Sequence, residues 1–277
     1  MMRNYLNLIR IIIVKIILLL GQKTFLGRGK VRKILIVFIN KLLGRGKIEI
    51  SQFDCTVNNV PFKFYNDDLT GIKFYFGRNE NYEINFIKKN SKNNSVFIDI
   101  GSNMGLYTQN LAYLINDNRK IKIIAIDANP IACNRLNENL SLLNKKIKKH
   151  VKVKNYAVGD KNSIIKLDYS NGLANGVISN KKSKKYFKVP CKKLESIIKE
   201  ENIKFISNLK IDIEGYEDRA LIPFFKNQNK NLFPKNIIIE HSSKNLWKEN
   251  LINYLNKIGY KKIFKNNANL ILSLNTK

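Results

Sequence analysis

Short apolar runs alternate with helical patterns along most of the chain. Five runs have the length of buried strands, and they cover residues 96–100, 121–127, 151–158, 208–213 and 237–241. Helical patterns follow or separate these runs, at 106–114, 130–144, 191–200, 215–226 and 244–257. The alternation predicts an α/β fold with a doubly wound, mostly parallel sheet. Two last runs, at 260–264 and 270–274, predict a closing antiparallel hairpin.

The first of these strands runs into a turn that contains two glycines. Asp99 is followed by Gly101 and Gly105, and a helical pattern begins at Leu106. Glycines let a ligand approach the backbone, and the helix start offers unpaired N–H groups. The spacing differs from the Gly-x-Gly-x-x-Gly turn of dinucleotide-binding folds. It suits a ligand with a cationic end and no phosphate, such as S-adenosylmethionine; a tight turn without a ligand is the alternative.

Acidic side chains stand where the predicted strands end. Asp127 ends the second strand, where a carboxylate can accept hydrogen bonds from both hydroxyls of a ribose. Capping of the next helix is the alternative for Asp127. The carboxyl ends of parallel strands meet at one edge of the sheet, where such folds bind their ligands. The residues predicted to meet there are Asp99, Asp127, Asp212, Glu214, Glu240 and His241.

The chain resembles the FkbM-type methyltransferases, a family of S-adenosylmethionine-dependent enzymes, over about residues 75–275. The most family-specific piece is Lys-Ile-Asp-Ile-Glu-Gly at 210–215, and the other matching pieces are 97–107, 126–130 and 156–160. The resemblance implies a Rossmann-like class I methyltransferase fold with a seven-stranded sheet, and S-adenosyl-L-methionine as the cofactor.

The resemblance also implies which residues bind that cofactor. The residues around its methionine part would be Asp99, Gly101, Ser102, Asn103 and Gly105. Asp127 would hold the ribose. Ala157 and Val158 would lie against the adenine, with Asp160 near them.

Methyl transfer to a hydroxyl needs a group that takes the hydroxyl proton. The sulfonium methyl is already electrophilic, so in-line positioning supplies much of the rate. Asp212 is the first candidate for the base, because the end of the fourth strand faces the transferred methyl in this class of fold. Glu214 shares this role or binds an acceptor hydroxyl, and His241 is the second candidate base. The alternatives are that Asp212 only caps the following helix and that His241 is a surface residue.

The sequence does not predict a metal site. Asp212 and Glu240 could give two oxygen ligands to magnesium, but no third ligand stands at a convincing spacing. The three cysteines, Cys55, Cys133 and Cys191, are scattered and form no C-x-x-C pair, which argues against zinc. An odd and sparse set of cysteines fits a reducing cytosol better than a disulfide-built domain.

The chain is strongly basic, with a formal net charge of +29, which is a property of many nucleic-acid-binding proteins. However, its basic residues are 41 Lys and 9 Arg, and Asn and Ile are also abundant. This combination indicates an AT-rich coding sequence and solvated lysine surfaces. RNA-binding proteins usually add clustered arginines and interleaved aromatic residues. We therefore do not expect nucleic acid as a partner.

The first 50 residues differ from the rest, because they hold eleven Lys and Arg and a single acid, Glu49. Residues 5–20 are apolar but contain Arg10 and Lys15, and 16 residues fall short of the about 20 that span a bilayer. The polar residues fall on one helical arc, as in a helix that lies in a membrane surface. The sequence Leu-Gly-Arg-Gly-Lys occurs at 26–30 and again at 43–47, and its cations suit anionic lipids. Packing on the domain or on a partner chain, and a true span, are the alternatives.

Three segments follow from these patterns. Residues 1–47 form a basic amphipathic helical segment, 48–94 a β-rich and helical prelude, and 95–277 the methyltransferase domain, with a lid over the acceptor site at 161–190. The predicted function is S-adenosylmethionine-dependent O-methylation of a sugar, a glycan or a lipid-linked small molecule. We expect it in the cytoplasm or at the cytoplasmic face of the membrane. The alternatives are an RNA methyltransferase and an inactive, membrane-associated scaffold with the same fold.

Overall fold

The computed structural model divides the chain into two compact units, residues 1–81 and 82–277. The structure describes residues 52–65, 80–116, 119–168, 177–178 and 186–275, together with the single positions 9, 12, 13, 16 and 34. Most of the predicted amphipathic segment 1–47, including the repeated glycine-arginine sequence, therefore lies outside the described residues. The same holds for most of 169–185, in the middle of the predicted lid.

In the first unit, two strands form an antiparallel hairpin. These strands, β1 (Gln52–Val57) and β2 (Val60–Tyr65), are joined by Asn58 and Asn59. Both asparagines have left-handed backbone conformations, with φ of 55° and 64°. A two-residue turn of this kind matches the twist of paired strands, and asparagine adopts it readily. The predicted β-rich prelude therefore contains a hairpin.

The same unit includes four described isoleucines near the start of the chain. Ile9, Ile12, Ile13 and Ile16 are helical, and each is between 39% and 51% exposed. Their spacing places them on one side of a helix. Among the described residues, no helix has the length and apolar character needed to cross a bilayer.

Helices and strands alternate through most of the second unit. The helices are α1 (Asn81–Asn90), α2 (Leu106–Ala112), α3 (Pro130–Ser141), α4 (Leu194–Glu200), α5 (Glu217–Asn227) and α6 (Leu251–Lys257). The strands of the main sheet are β3 (Ser95–Ile100), β4 (Ile121–Asp127), β5 (Val151–Asn155), β10 (Asn208–Ile211), β11 (Asn236–Glu240), β12 (Tyr260–Lys265) and β13 (Asn269–Leu274).

The main sheet has seven strands in the order β12-β13-β11-β10-β3-β4-β5. The five strands from β11 to β5 are parallel, while β13 pairs antiparallel with both β11 and β12. The chain builds the sheet outward from β3 through β4 to β5, and then returns to place β10 on the other side of β3. Ligands of doubly wound sheets bind outside the carboxyl ends of the strands at this point. The predicted Rossmann-like fold with a closing antiparallel hairpin is confirmed.

A smaller sheet changes one prediction. Its strands, in the order β6-β9-β7-β8, are β6 (Ala157–Val158), β9 (Tyr186–Lys192), β7 (Ser163–Asp168) and β8 (Val177–Ile178). The predicted strand 151–158 is thus two strands, which Tyr156 separates. The reason is a change of partner, because Ala157 and Val158 pair with Cys191 and Lys192 of β9 instead of with β4.

The predicted helix 244–257 also differs. It is a 3₁₀ turn, Lys244–Leu246, followed by α6.

The parallel strands are continuous apolar runs in the sequence because both of their faces lie in the core. All six residues of β3 and all four of β10 are buried, because helices cover both faces of the sheet. Side chains of alternating β3 residues, such as Val96 and Ile98, join one large apolar cluster with Leu221 and Phe224 of α5. The sheet is therefore a rigid base for the turns at its carboxyl edge.

Candidate functional site

The turn between β3 and α2 requires its glycines. Gly101 has φ of 74°, and a Cβ there would be 1.7 Å from the main-chain oxygen of Asp212. Gly105 has φ of 94°, and its Cβ would be 2.1 Å from Cδ1 of Leu136. Both glycines therefore satisfy close packing within the protein as well as a left-handed backbone. Asn103 is also left-handed, with φ of 48°.

Asp99 lies fully buried beside this turn. Its Oδ2 accepts a hydrogen bond of 2.7 Å from the Thr108 hydroxyl on α2. Its Oδ1 is buried and has no partner among the described residues, and the same is true of the Ser102 hydroxyl. Burial raises the pKa of Asp99, against the opposing effect of the Lys210 cation. Buried polar atoms normally find a partner, so both atoms are available to a ligand or to ordered water.

Asp127 ends β4 and joins two turns. One carboxylate oxygen accepts the Asn103 N–H at 2.7 Å, and the other accepts the Asn129 N–H at 2.8 Å. Burial raises the pKa of Asp127 to about 6, and these two N–H donors oppose the rise. Each carboxylate oxygen has a second lone pair, so hydroxyl donors can still reach this half-buried group. Asp127 therefore orders the glycine turn and keeps acceptor capacity.

The residues assigned to the adenine lie in and after β6. Ala157 and Val158 are buried, with 7% and 6% exposure. Asp160 is exposed and its charge acts on the Cys191 thiol of β9.

Asp212 and Glu214 lie on the loop that follows β10. The Asp212 side chain is 34% exposed, and its Oδ2 lies 3.3 Å from Nζ of Lys210. Glu214 is exposed and has a left-handed backbone, with φ of 56°. This conformation is uncommon for glutamate and is a feature of functional loops. Partial desolvation and the negative charges of Asp212 and Glu217 raise the pKa of Glu214.

Glu217, which the sequence analysis did not select, organises this loop. Its Oε1 accepts the N–H groups of Ile213 at 2.9 Å and Gly215 at 3.2 Å. Its Oε2 accepts the indole N–H of Trp247 at 2.6 Å. A fully buried carboxylate with three donors is well compensated, so Glu217 fixes the main chain on both sides of Glu214.

Lys210 is a second residue that the sequence analysis did not select, although it begins the most family-specific segment. It is only 4% exposed, and its ammonium donates to the Gly101 carbonyl at 3.1 Å. Lysine in a strand normally indicates a surface position, so only the pairing of β10 between two buried strands could have pointed to it.

Glu240 and His241 follow β11. Glu240 accepts the Ser242 N–H at 2.9 Å with Oε1, while its other carboxylate oxygen is buried without a partner among the described residues. Burial, together with the charge of Asp212, raises the pKa of Glu240 to about 7. The His241 ring is buried, and its Nε2 lies 3.1 Å from the carbonyl oxygen of Asn266. A carbonyl only accepts, so Nε2 carries the proton and Nδ1 is the nitrogen that can act as a base.

The structure thus brings five predicted acids into one electrostatic cluster. The charge of Asp212 raises the pKa values of Asp99, Glu214 and Glu240. The charge of Asp99 raises the pKa of Asp127, and the Lys210 cation lowers the pKa values of both Asp99 and Asp127. In a chain of net charge +29, this acidic edge suits a cationic ligand. Asp99 Oδ1 and the Ser102 hydroxyl, which lack partners among the described residues, could hold an ammonium group, and the Asp127 carboxylate could accept hydrogen bonds from ribose hydroxyls. No group of three or more metal-ligating side chains occurs within the described ranges.

The chain matches one protein-family model and is similar to several solved structures. The model of the methyltransferase FkbM domain matches residues 99–262. Among solved structures, the chain is similar to the methyltransferase FkbM from Methylobacillus flagellatus KT, with 15% identity, a TM-score of 0.45, and coverage of 65% of this chain and 43% of that chain. This chain therefore spans less than half the length of the Methylobacillus protein.

Two other solved structures are similar over more of their own length. A putative rRNA-methylase from Clostridium thermocellum has 10% identity, a TM-score of 0.43, and coverage of 70% of this chain and 94% of that chain. A putative methyltransferase from Streptococcus mutans, in complex with SAH, has 14% identity, a TM-score of 0.41, and coverage of 70% and 96%. No curated protein matches the chain.

The family match covers more than half of the chain and contains the glycine turn, Asp127 and the loop after β10. The chain belongs to the FkbM methyltransferase domain family, whose methyl donor is S-adenosylmethionine.

Proposed function

We propose that the protein transfers a methyl group from S-adenosylmethionine to a hydroxyl of a sugar, a glycan or a lipid-linked small molecule. The observation that carries this proposal is the position of Asp212. Its carboxylate is 34% exposed, and its main chain packs directly on Gly101 of the glycine turn. A proton acceptor therefore lies next to the turn that we assign to the cofactor.

In this proposal the glycine turn and Asp127 bind the cofactor. Asp99, Gly101, Ser102, Asn103 and Gly105 surround its methionine part, and two buried polar atoms there, on Asp99 and Ser102, support the assignment. Asp127 accepts the ribose hydroxyls. The bound cofactor supplies an electrophilic methyl group on a sulfonium.

We assign the adenine to residues in and after β6. Ala157 and Val158 are buried and apolar, and they follow Asn155, which pairs with Asp127 where β5 and β4 end. Asp160 follows them and is exposed, which leaves it free to accept from an exocyclic amine.

We assign the base that removes the acceptor proton by asking which carboxylates have exposed surface for a substrate. Glu217 is fully buried and accepts three hydrogen bonds, whereas the Asp212 side chain is 34% exposed and, among the described residues, contacts the Lys210 cation. We assign proton removal to Asp212 and acceptor binding to Glu214, which projects from the same loop. His241 is the second candidate, with Nδ1 as the accepting nitrogen.

We further propose that residues 1–47 attach the enzyme to an anionic membrane surface at the cytoplasmic side, where its cofactor is made. The four exposed isoleucines at positions 9, 12, 13 and 16 support this, because each is helical and their spacing is that of one side of a helix, in a segment rich in Lys and Arg. A lipid-linked acceptor would reside at the same surface.

The first experiment is a calorimetric titration of the full chain with S-adenosylmethionine, with Asp127→Ala beside it. Micromolar binding that the variant weakens at least about tenfold, or 1.4 kcal/mol, supports the cofactor site. An acceptor screen with glycans, lipid-linked glycans and RNA then follows, using radiolabelled methyl donor. Absence of binding would favour the inactive scaffold, and methylation of RNA alone would refute the proposed acceptor class.

A further inference from the structure

Lys210 is a buried cation between two elements of the site. Its Nζ donates to the Gly101 carbonyl at 3.1 Å and lies 3.3 Å from Oδ2 of Asp212. The same ammonium lies 5.3 Å from the centroid of the Tyr107 ring on α2. A buried ammonium is costly unless it is paired and hydrogen-bonded. Here the turn after β3, the loop after β10 and helix α2 each contribute part of the compensation.

The Gly101 carbonyl bonds on the side of the turn that faces β10. The first N–H groups of the turn bond to the end of β4: Gly101 donates to the Ile126 carbonyl at 2.8 Å, and Asn103 donates to the Asp127 carboxylate at 2.7 Å. The contact with Lys210 is directed to the other side, toward β10. The turn is therefore held between the two strands that flank β3.

We propose that Lys210 is a positioning residue of the cofactor site: its ammonium bridges the Gly101 carbonyl and the Asp212 carboxylate, and thereby fixes the glycine turn against the loop that carries the base. This inference rests on the proposed function, because that function assigns the turn to S-adenosylmethionine. Among the described residues, the other charged or titratable groups that interact with Lys210 or Asp212 include Asp99 from β3, Asp127 from β4, Tyr107 from α2, Glu214 from the loop and Glu240 from β11.

Removal of the Lys210 cation should change the affinity for S-adenosylmethionine in opposite directions, depending on whether Lys210 acts as a bridge or through its electric field. The sulfonium of S-adenosylmethionine is cationic, so removal of a nearby cation would strengthen its binding if only the field mattered. Loss of the bridge would weaken binding, because the ligand would then have to order the turn itself. S-adenosylhomocysteine lacks the sulfonium charge, so a bridge affects both ligands alike, whereas the field acts mainly on the charged one.

The test compares the full-length wild type with Lys210→Met, Lys210→Arg and a matched control, Lys88→Met. Lys88 is also partly buried and donates to Asn110 Oδ1 at 3.0 Å, away from the acids of the site. Calorimetry gives the affinities for S-adenosylmethionine and S-adenosylhomocysteine. Amide hydrogen exchange of Gly101 and Asn103 in the ligand-free protein reports the order of the turn without any ligand.

We expect Lys210→Met to lower both affinities by about tenfold and to speed exchange of the two amides by a similar factor, with partial recovery in Lys210→Arg. Lys88→Met should match the wild type. Unchanged or tighter S-adenosylmethionine binding in Lys210→Met, or wild-type exchange of both amides, would overturn the proposal. If Lys210→Met does not fold, Lys210→Gln, which is too short to reach both acceptors, takes its place with the same expectations.

The two proposals fail in different ways. If the wild type binds neither ligand, the proposed function fails, and the exchange rates still decide whether Lys210 orders the turn. If the wild type binds both ligands and the variants bind equally well, only the role of Lys210 is refuted.

Discussion

Gly101 lies so close to the main chain of Asp212 that a Cβ atom at Gly101 would be 1.7 Å from the Asp212 carbonyl oxygen. The two residues are more than a hundred positions apart in the chain. Their contact joins the turn assigned to the cofactor to the loop assigned to the base. Neither element can shift far without the other, since a main-chain oxygen has no rotamer with which to move aside.

This contact predicts the effect of a single methyl group. Gly101→Ala should destabilise the protein by at least about 3 kcal/mol, because strain from the left-handed backbone adds to a clash with main chain. Gly259→Ala is the matched control: its φ is 107°, but its Cβ would meet nothing closer than 3.7 Å. That variant should lose about 1 kcal/mol, from backbone strain alone. Urea denaturation measures both, and equal losses would contradict the packing argument.

The Asp127 carboxyl predicts how cofactor binding depends on pH. Its pKa is raised to about 6 by burial, and the ionised form is the better acceptor for ribose hydroxyls. Affinity for S-adenosylmethionine should therefore be constant at pH 8 and 7 and fall as the pH drops through about 6. Calorimetry between pH 5 and pH 8 measures this. Asp127→Asn should bind more weakly with a flatter profile, and a wild-type profile in that variant would remove Asp127 from the ribose role.

Glu240 predicts a pH-dependent gain in stability. Burial raises its pKa from 4.5 to about 7, so the folded state favours the protonated form. That contribution is fully present below about pH 4.5 and is lost as the pH rises through about 7. Glu240→Gln should therefore raise the free energy of unfolding by about 1–3 kcal/mol at pH 8, and by little at pH 4.5. The exposed Glu249→Gln is the control for urea denaturation at both pH values, and a gain of equal size at both would refute the explanation.

Asp212 predicts a separation of turnover from cofactor affinity. Asp212→Asn keeps the size of the side chain but removes the proton acceptor, which is typically worth about 10²–10⁴-fold in rate. We expect kcat to fall by about that factor, while the affinity for S-adenosylmethionine changes less than about threefold. Steady-state kinetics use the acceptor that the screen identifies. Full activity would transfer the role of base to His241, which His241→Gln would then test.

The four exposed isoleucines predict the behaviour of the N-terminal segment. Deletion of residues 1–47 should release the protein from vesicles with anionic lipid, since the four isoleucines and all eleven Lys and Arg of the first 50 residues lie in this segment. Replacement of the isoleucines at 9, 12, 13 and 16 by serine keeps the charge of the segment. It should weaken vesicle binding most in high salt, because salt screens the attraction between the cations and the anionic lipid. Vesicle flotation measures both variants. Undiminished binding of the deletion variant would exclude the segment as the attachment site.

The elements that position the site could be predicted because their signals are local. The Asp99-x-Gly101 spacing and the run that ends at Asp127 each lie within ten residues of a strand end. The break of the predicted strand at Tyr156 could not be predicted, because the chain is extended before and after Tyr156, and residues 157–158 are still apolar. Only the strand with which residues 157–158 pair differs, and that strand, β9, pairs through residues more than thirty positions later in the chain.

Residues that act through distant contacts were missed for the same reason. Glu217 reads as an ordinary acid in the first turn of a helix, yet it accepts from Trp247, thirty positions later. Lys210 reads as a surface lysine until Gly101 is placed beside it. His241 was selected because of its strand end, but the hairpin turn that contains Asn266 determines which ring nitrogen is protonated.

The hydrogen bond between Trp247 and Glu217 also gives the protein its own optical reporter. Trp247 is the single tryptophan of the chain, and its indole N–H bonds to the carboxylate that holds the loop around Glu214. Indole emission depends on the polarity and hydrogen bonding of its surroundings. Any ligand that moves this loop will therefore change the intrinsic fluorescence of the unlabelled protein, so acceptor candidates can be ranked by titration before a product is ever detected.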